Sequence, residues 1–292
     1  MSKPVIPFLE MQVNRACNLS CKGCTTFSDL KWSGYHTWAE GRSWLEPWLE
    51  HVELPAIGYM GGEPLLNPNI QEWIEGVSEM LPHSQQRFVT NGTLLQKNWN
   101  VFHALRKHGN SVFKITQHVS TPALQDAIDW IFNTFDWEQV TEFGITRWRE
   151  RGTDFRFQIT KPETFMIMFK GDYENMAPFN NNPAEAFKEC CQQRCPLLYM
   201  GKIYKCGHLA HIEDLLERFN RPNYDDWLPA LGHDHNPGDN MQAFADNFGK
   251  PHSICRICPS AKDKDNFIDH YKNVDIKTKL PYYIEENKGA IT

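Results

Sequence analysis

Through its first half this chain alternates short apolar runs with amphipathic stretches, and that alternation limits what it can fold into. PFLEMQV (7–13), AIGYM (56–60), RFVT (87–90) and SVFKITQ (111–117) read as strands. Between them, residues 38–51 read as a helix carrying Trp38, Trp44 and Trp48, broken around Pro47. Residues 69–81 read as a helix with Ile70, Trp73, Ile74 and Val77 at helical spacing. A further helix covers 97–108, and another opens at Thr121-Pro122, a hydroxyl cap followed by proline. QVTEFGI (139–145) and the region 155–169 supply later strands. Strands alternating with helices imply crossover connections and therefore a parallel sheet. Periodicity alone does not separate a barrel from a doubly wound sheet; both build their sites at the C-terminal strand ends.

Three motifs fall at those ends. Cys17, Cys21 and Cys24 follow the first strand as C-x3-C-x2-C. Three thiolates can hold three corners of a four-iron cluster and leave one iron open to a second molecule. A zinc site, a disulfide with a spare thiol, or buried packing cysteines use the same residues. Gly61, Gly62, Glu63 and Pro64 end the second strand in YMGGEPLL, and Thr90, Asn91 and Gly92 end the third in FVTNGTLL. Alone, each glycine-bearing string is an ordinary turn.

In this order, the three motifs resemble the radical S-adenosylmethionine (SAM) superfamily. The resemblance implies an α/β fold, a partial (β/α)6 TIM-like barrel over roughly residues 7–175. It assigns a [4Fe–4S] cluster to Cys17, Cys21 and Cys24, with the open iron taking the amino and carboxylate groups of SAM. Gly61 and Gly62 would let backbone approach a ligand. Glu63 would accept from the methionine ammonium or organise the local backbone, and Pro64 would stiffen the turn. Thr90 and Asn91 would lie near the ribose and methionine; Gln117, with His118 and Ser120, would reach the ribose or carboxylate. The family often has an aromatic residue just before the third cysteine, where this chain has Gly23. Phe27 is then the candidate for the adenine.

A second cysteine set lies in KECCQQRCPLLYMGKIYKCGH and SICRICPS. Cys195 and Cys206 flank a hairpin turning at Gly201, and Cys255 and Cys258 form a two-ligand clip. Four thiolates close a metal site. The set resembles the Twitch domain, a shortened SPASM domain, which implies a small C-terminal cysteine-rich domain with an auxiliary [4Fe–4S] cluster. A four-cysteine zinc ribbon remains the alternative, and Cys190 or Cys191 stands as a substitute for Cys195. His208 and His211 follow Cys206 closely and read as alternative ligands or, in preference, as surface residues or neighbours just behind the ligands. The expected division is 1–175 for the barrel core, 176–262 for the auxiliary domain after a polar linker near 171–186, and 263–292 for a tail that either wraps the barrel or stays loose.

A net charge of -6 argues against an electrostatic grip on nucleic acid. No run is long and apolar enough for a membrane span, and the N-terminus lacks a signal-peptide core. The nine cysteines are therefore expected in a reducing cytoplasm. The expected function is reductive cleavage of SAM to a 5′-deoxyadenosyl radical. This radical takes hydrogen from a peptide or a small polar substrate (a nucleoside, sugar or amino-acid derivative), in an oxidation or a bond formation. An electron donor such as flavodoxin or ferredoxin is implied. With about six residues before the first strand, no on-chain domain that grips a peptide leader is expected, while a separate recognition protein stays open. The rivals are a non-catalytic iron–sulfur or zinc relay or scaffold, and an enzyme that methylates with SAM or recycles it.

Overall fold

The computed structural model describes residues 2–142 and 144–277. β1 (Leu9–Asn14) shows how the chain divides its faces. Leu9, Met11 and Val13 point one way and Glu10, Gln12 and Asn14 the other, and all six are buried. The apolar face joins the main core, and the polar face turns toward the site.

The first cysteine loop then holds β2 (Leu19–Cys21). α1 (Trp38–Leu45) starts from Thr37 in a capping box with Glu40. Proline has no N–H to continue the ladder, so a 3-10 turn replaces the helix over Glu46–Glu50 and buries Trp48. β3 (Ala56–Gly61), α2 (Ile70–Met80), β4 (Gln85–Thr90), α3 (Trp99–His108), β5 (Ser111–Thr116) and α4 (Pro122–Thr134) follow in strict alternation. Trp73, Ile74 and Val77 of α2, Phe102 and Leu105 of α3, and Leu124, Ile128 and Ile131 of α4 pack on the apolar strand faces in one cluster.

β6 (Trp137–Glu142), β7 (Ile145–Glu150) and β8 (Phe155–Thr160) come next. The expected strand over 139–145 is instead the tip of a hairpin: Glu142 pairs with Ile145, and Gly144 turns at φ +76. Then come β9 (Thr164–Met166), α5 (Pro183–Glu189), β10 (Leu197–Tyr199), β11 (Lys202–Tyr204), α6 (Gly207–Arg218), α7 (Tyr224–Trp227), β12 (Asp234–His235), α8 (Gln242–Asp246), β13 (Phe267–Asp269) and β14 (Val274–Ile276).

Ten strands form one sheet in the order β12-β11-β10-β1-β3-β4-β5-β8-β7-β6. The run from β10 through β8 is parallel, and antiparallel hairpins finish both ends. The end strands β12 and β6 are not paired to each other, so the sheet stays open, consistent with a partial barrel. β10 lies beside β1, so the expected hairpin at Gly201 extends the barrel's own sheet. Its turn residues Met200 and Gly201 both have positive φ, 49° and 80°.

α6 covers the polar face of β1, and His211 Nε2 lies 3.4 Å from Gln12 Oε1. His208 and His211 are fully buried, which corrects their reading as surface residues. The tail wraps. β13 pairs with β9 and β14 with β2, folding residues 267–276 over the first cysteine loop. The expectations for 278–292 lie outside the described residues. Among the described residues, no helix is long and apolar enough to cross a membrane.

Candidate active site

A cavity of about 690 Å³ opens at the C-terminal ends of β1, β3, β4 and β5. Cys17, Cys21, Cys24, Gly61, Gly62, Glu63, Pro64, Thr90 and Asn91 all line it. The motifs that the sequence places at successive strand ends therefore meet in one space. Gln117 does not line it. Alternation gives Thr116 and His118 to the cavity, while the Gln117 N–H donates to the Thr160 carbonyl at 2.8 Å. Phe27 is also elsewhere, buried against His208 with ring centroids 5.4 Å apart; Phe165 and Phe267 are the phenyl rings on the cavity wall.

Glu63 is the knot of this site. It is 1% exposed. Its Oε1 accepts from the Leu65 N–H at 3.0 Å and the Thr90 hydroxyl at 2.6 Å, and its Oε2 accepts from the Asn91 N–H at 2.7 Å. Burial pushes its pKa up to about 7 against the opposing pull of these bonds. Of its two expected roles, organising the backbone is the one its bonds express. The Asn91 amide carries the tie onward, donating to Asn18 Oδ1 at 2.9 Å in the cysteine loop.

The two glycines serve a close approach, but of chain to chain. A Cβ on Gly61 would sit 2.1 Å from the Asn14 carbonyl oxygen, and one on Gly62 would sit 2.0 Å from that of Ala16. Without those carbons, the Glu63 N–H donates to Ala16 O at 2.8 Å, and Asn14 Nδ2 donates to Glu63 O at 2.9 Å. Gly23 has φ +81, and its Cβ would meet the Met166 carbonyl at 3.1 Å, so an aromatic residue there would be strained.

Cys17 and Cys21 are each 8% exposed. Burial, then the Glu63 charge, pushes the Cys17 thiol up to about 12. Burial, then Cys24 and Cys17, raises Cys21 further. Cys17 and Cys21, with the half-buried Cys24 beside them, become thiolates together only with positive charge among them, which iron would supply. The Leu19 N–H already points at Cys17 Sγ at 3.4 Å. The donor set and its neighbouring cavity fit a three-cysteine cluster with an open position. Lys277, at the end of the wrapped tail, pins the loop by donating to the Cys17 carbonyl at 3.0 Å and the Ser28 carbonyl at 2.8 Å. Nothing in the tail's sequence signals this.

Of the second cysteine set, Cys190, Cys206, Cys255 and Cys258 line one small cavity together with Phe187, His208 and Ile257. Cys195 is not among them and stands beside Glu10 on the floor of the barrel. Cys191 faces the large cavity. The Gln192 N–H points at Cys190 Sγ at 3.3 Å. Burial, then Cys190, pushes Cys206 up to about 12, and burial, then Cys206, raises Cys258. The four cysteines thus offer their sulfurs around one small cavity.

Fold and site thus define an α/β protein with a mostly parallel sheet that gathers three cysteines and a glycine-rich acidic turn at one mouth. The profile of the Radical SAM superfamily matches residues 11–176, and the chain belongs to that superfamily. Membership implies an enzyme that uses a [4Fe–4S] cluster and SAM. No curated protein sequence matches the chain. Among solved structures, it is similar to BtrN in complex with AdoMet and 2-DOIA, with a TM-score of 0.50 and 16% identity, covering 97% of this chain and 99% of that one. It is also similar to BtrN in an open conformation, with a TM-score of 0.44 and 17% identity, covering 89% and 94%. A third is Streptococcus suis SuiB bound to S-adenosylmethionine, with a TM-score of 0.37 and 11% identity, covering 82% and 68%.

Proposed function

We propose that this chain is a two-cluster radical SAM enzyme that oxidises a small polar substrate. Cys17, Cys21 and Cys24 hold the SAM-binding cluster, and Cys190, Cys206, Cys255 and Cys258 hold an auxiliary [4Fe–4S] cluster, so Cys190 takes the place first given to Cys195. Bound there, the first cluster and SAM supply reductive cleavage to a 5′-deoxyadenosyl radical that takes a hydrogen atom from the substrate. The Glu63 knot sets the wall against which SAM lies. Residues 1–175 carry that site, 176–262 carry the second cysteine set, and residues 263–277 close over the first.

The observation behind the substrate reading is Glu10. It is 7% exposed and lines the cavity, and among the described residues its Oε2 has no hydrogen-bond partner. The Cys195 side chain, then Lys114 and Arg87, stand close enough to act on its charge. A buried carboxylate oxygen left unpaired inside a site is ready to accept from a hydroxyl or amine. BtrN, crystallised with AdoMet and 2-DOIA, matches over nearly the whole of both chains. The oxidation reading is supported by the neighbouring cysteine set, whose cavity adjoins the large one through Cys190 and Cys191. Flavodoxin or ferredoxin is the electron donor we expect, in a reducing compartment.

The test is a screen of amino sugars, cyclitols, nucleosides and short peptides for faster 5′-deoxyadenosine release by the anaerobic, iron-loaded protein. Stimulation by a hydroxyl- or amine-bearing small molecule, lost in Glu10→Ala, is expected. Stimulation by peptides alone contradicts the substrate reading.

A further inference from the structure

His118 and His270 lie far apart in the chain and meet at the cysteine loop. His118 follows β5 and lines the large cavity; His270 follows β13 in the wrapped tail and is fully buried. His118 Nδ1 and His270 Nε2 are 2.9 Å apart, so one proton lies between them. A ring nitrogen of each and the sulfur of Cys21 all lie within 4.8 Å of one another. Phe165 stacks on His270 with centroids 3.9 Å apart and meets His118 edge-on at 5.5 Å, which fixes both rings. The tail is anchored on either side: the His270 N–H donates to Glu163 O at 2.9 Å and the Tyr271 hydroxyl to Gln117 O at 3.3 Å.

The other nitrogen of His270, Nδ1, is buried and has no partner among the described residues. A buried N–H without an acceptor is rarer in proteins than an acceptor left short of donors. Nδ1 therefore carries the lone pair, and the His270 proton is on Nε2. That proton is donated to His118 Nδ1, which leaves the proton of His118 on Nε2. His118 is thus held as a donor on the wall of the large cavity that Cys17, Cys21 and Cys24 also line. The pair is not arranged as a metal site of its own, because the bond between the rings consumes a lone pair that a metal would need.

We infer that His118, oriented by His270, donates a hydrogen bond to the cluster held by Cys17, Cys21 and Cys24 and thereby makes that cluster easier to reduce. Hydrogen bonds to cluster sulfurs raise the potential by stabilising the more negative, reduced state. This rests on the cluster assignment to Cys17, Cys21 and Cys24. It gives the tail a part in the chemistry, with His270 as a positioning residue.

The test is a redox titration followed by electron paramagnetic resonance on the loaded full-length protein, wild type against His118→Phe, His270→Ala and His270→Gln. In His118→Phe, the reduced-to-oxidised ratio of the first cluster at fixed potential is expected to fall about tenfold, about 59 mV for one electron. His270→Ala should shift it the same way. His270→Gln, whose amide N–H can stand in for Nε2–H, should restore most of the loss, and the second cluster should not move. An unchanged first-cluster potential in His118→Phe with full iron overturns the inference. A shift in His118→Phe without one in His270→Ala overturns the part given to the tail. If His118→Phe fails to load, the His270 pair decides: no difference between Ala and Gln overturns it. Failure of the wild type to form the first cluster overturns the underlying assignment instead.

Discussion

Cys190 and Cys191 are adjacent in the chain and line different cavities. Cys190 faces the small one with Cys206, Cys255 and Cys258, and Cys191 faces the large one with Cys17, Cys21 and Cys24. One peptide bond at the end of α5 separates the two sites. Cys190→Ala should therefore lose about four irons per chain, while Cys195→Ala and Cys191→Ala keep them, by iron analysis after anaerobic reconstitution. Iron lost from Cys195→Ala but not from Cys190→Ala would reverse the assignment. Loss of one zinc in place of iron would show a zinc ribbon.

The Thr90 hydroxyl gives the buried Glu63 carboxylate its shortest bond, 2.6 Å. Thr90→Val keeps the shape and removes the donor, a change worth about 1–3 kcal/mol at a buried charged acceptor. SAM affinity, measured by equilibrium binding to the loaded protein, should weaken about tenfold for each 1.4 kcal/mol that falls on the site. Unchanged affinity and unchanged stability together would contradict Glu63 as the knot.

Gly62→Ala places a carbon where only 2.0 Å separates it from the Ala16 carbonyl, and both groups are backbone-bound. The cysteine loop must move. The variant should lose iron at the first site and keep it at the second, read by the two cluster signals in electron paramagnetic resonance. Full loading of both would show that the loop tolerates the shift.

Much of this was legible in the sequence because the information is local. Alternation in β1 and helical spacing in α2 mark the elements, Thr121-Pro122 marks the start of α4, and the three motifs mark strand ends. What was not legible is non-local or a matter of parity. The pairing of β10 with β1 and of β14 with β2 leaves no periodic trace in a three-residue strand. Cys190 and Cys195 offer the same ligand at similar spacing, and only the fold shows which one turns into the small cavity. Gln117 differs from His118 by one position on a strand end, which is enough to turn it away from the cavity. The burial of His211 follows from α6 lying over β1, a contact between residues nearly two hundred positions apart, and that of His208 from its packing on Phe27.

Burial pushes the Glu10 carboxyl up to about 7 from 4.5, opposed by Cys195, Lys114 and Arg87. The folded state then holds its proton more tightly than the unfolded state does, so stability falls as pH rises from about 4.5 through about 7. Glu10→Gln lacks that loss. Relative to wild type, it should gain stability at pH 8 over pH 5, by at most about 3 kcal/mol, in urea unfolding of the apoprotein. An equal difference at both pH values would show that Glu10 ionises freely in the fold.

The central claim is that the three-cysteine mouth cleaves SAM and that a second cluster stands beside it. Its most direct test is the anaerobic reconstituted protein with dithionite and SAM, following 5′-deoxyadenosine while counting iron and zinc. About eight irons per chain, with deoxyadenosine that disappears in Cys21→Ala while about four irons remain, is the expected result. S-adenosylhomocysteine as the product, or normal deoxyadenosine formation by Cys21→Ala, would contradict it.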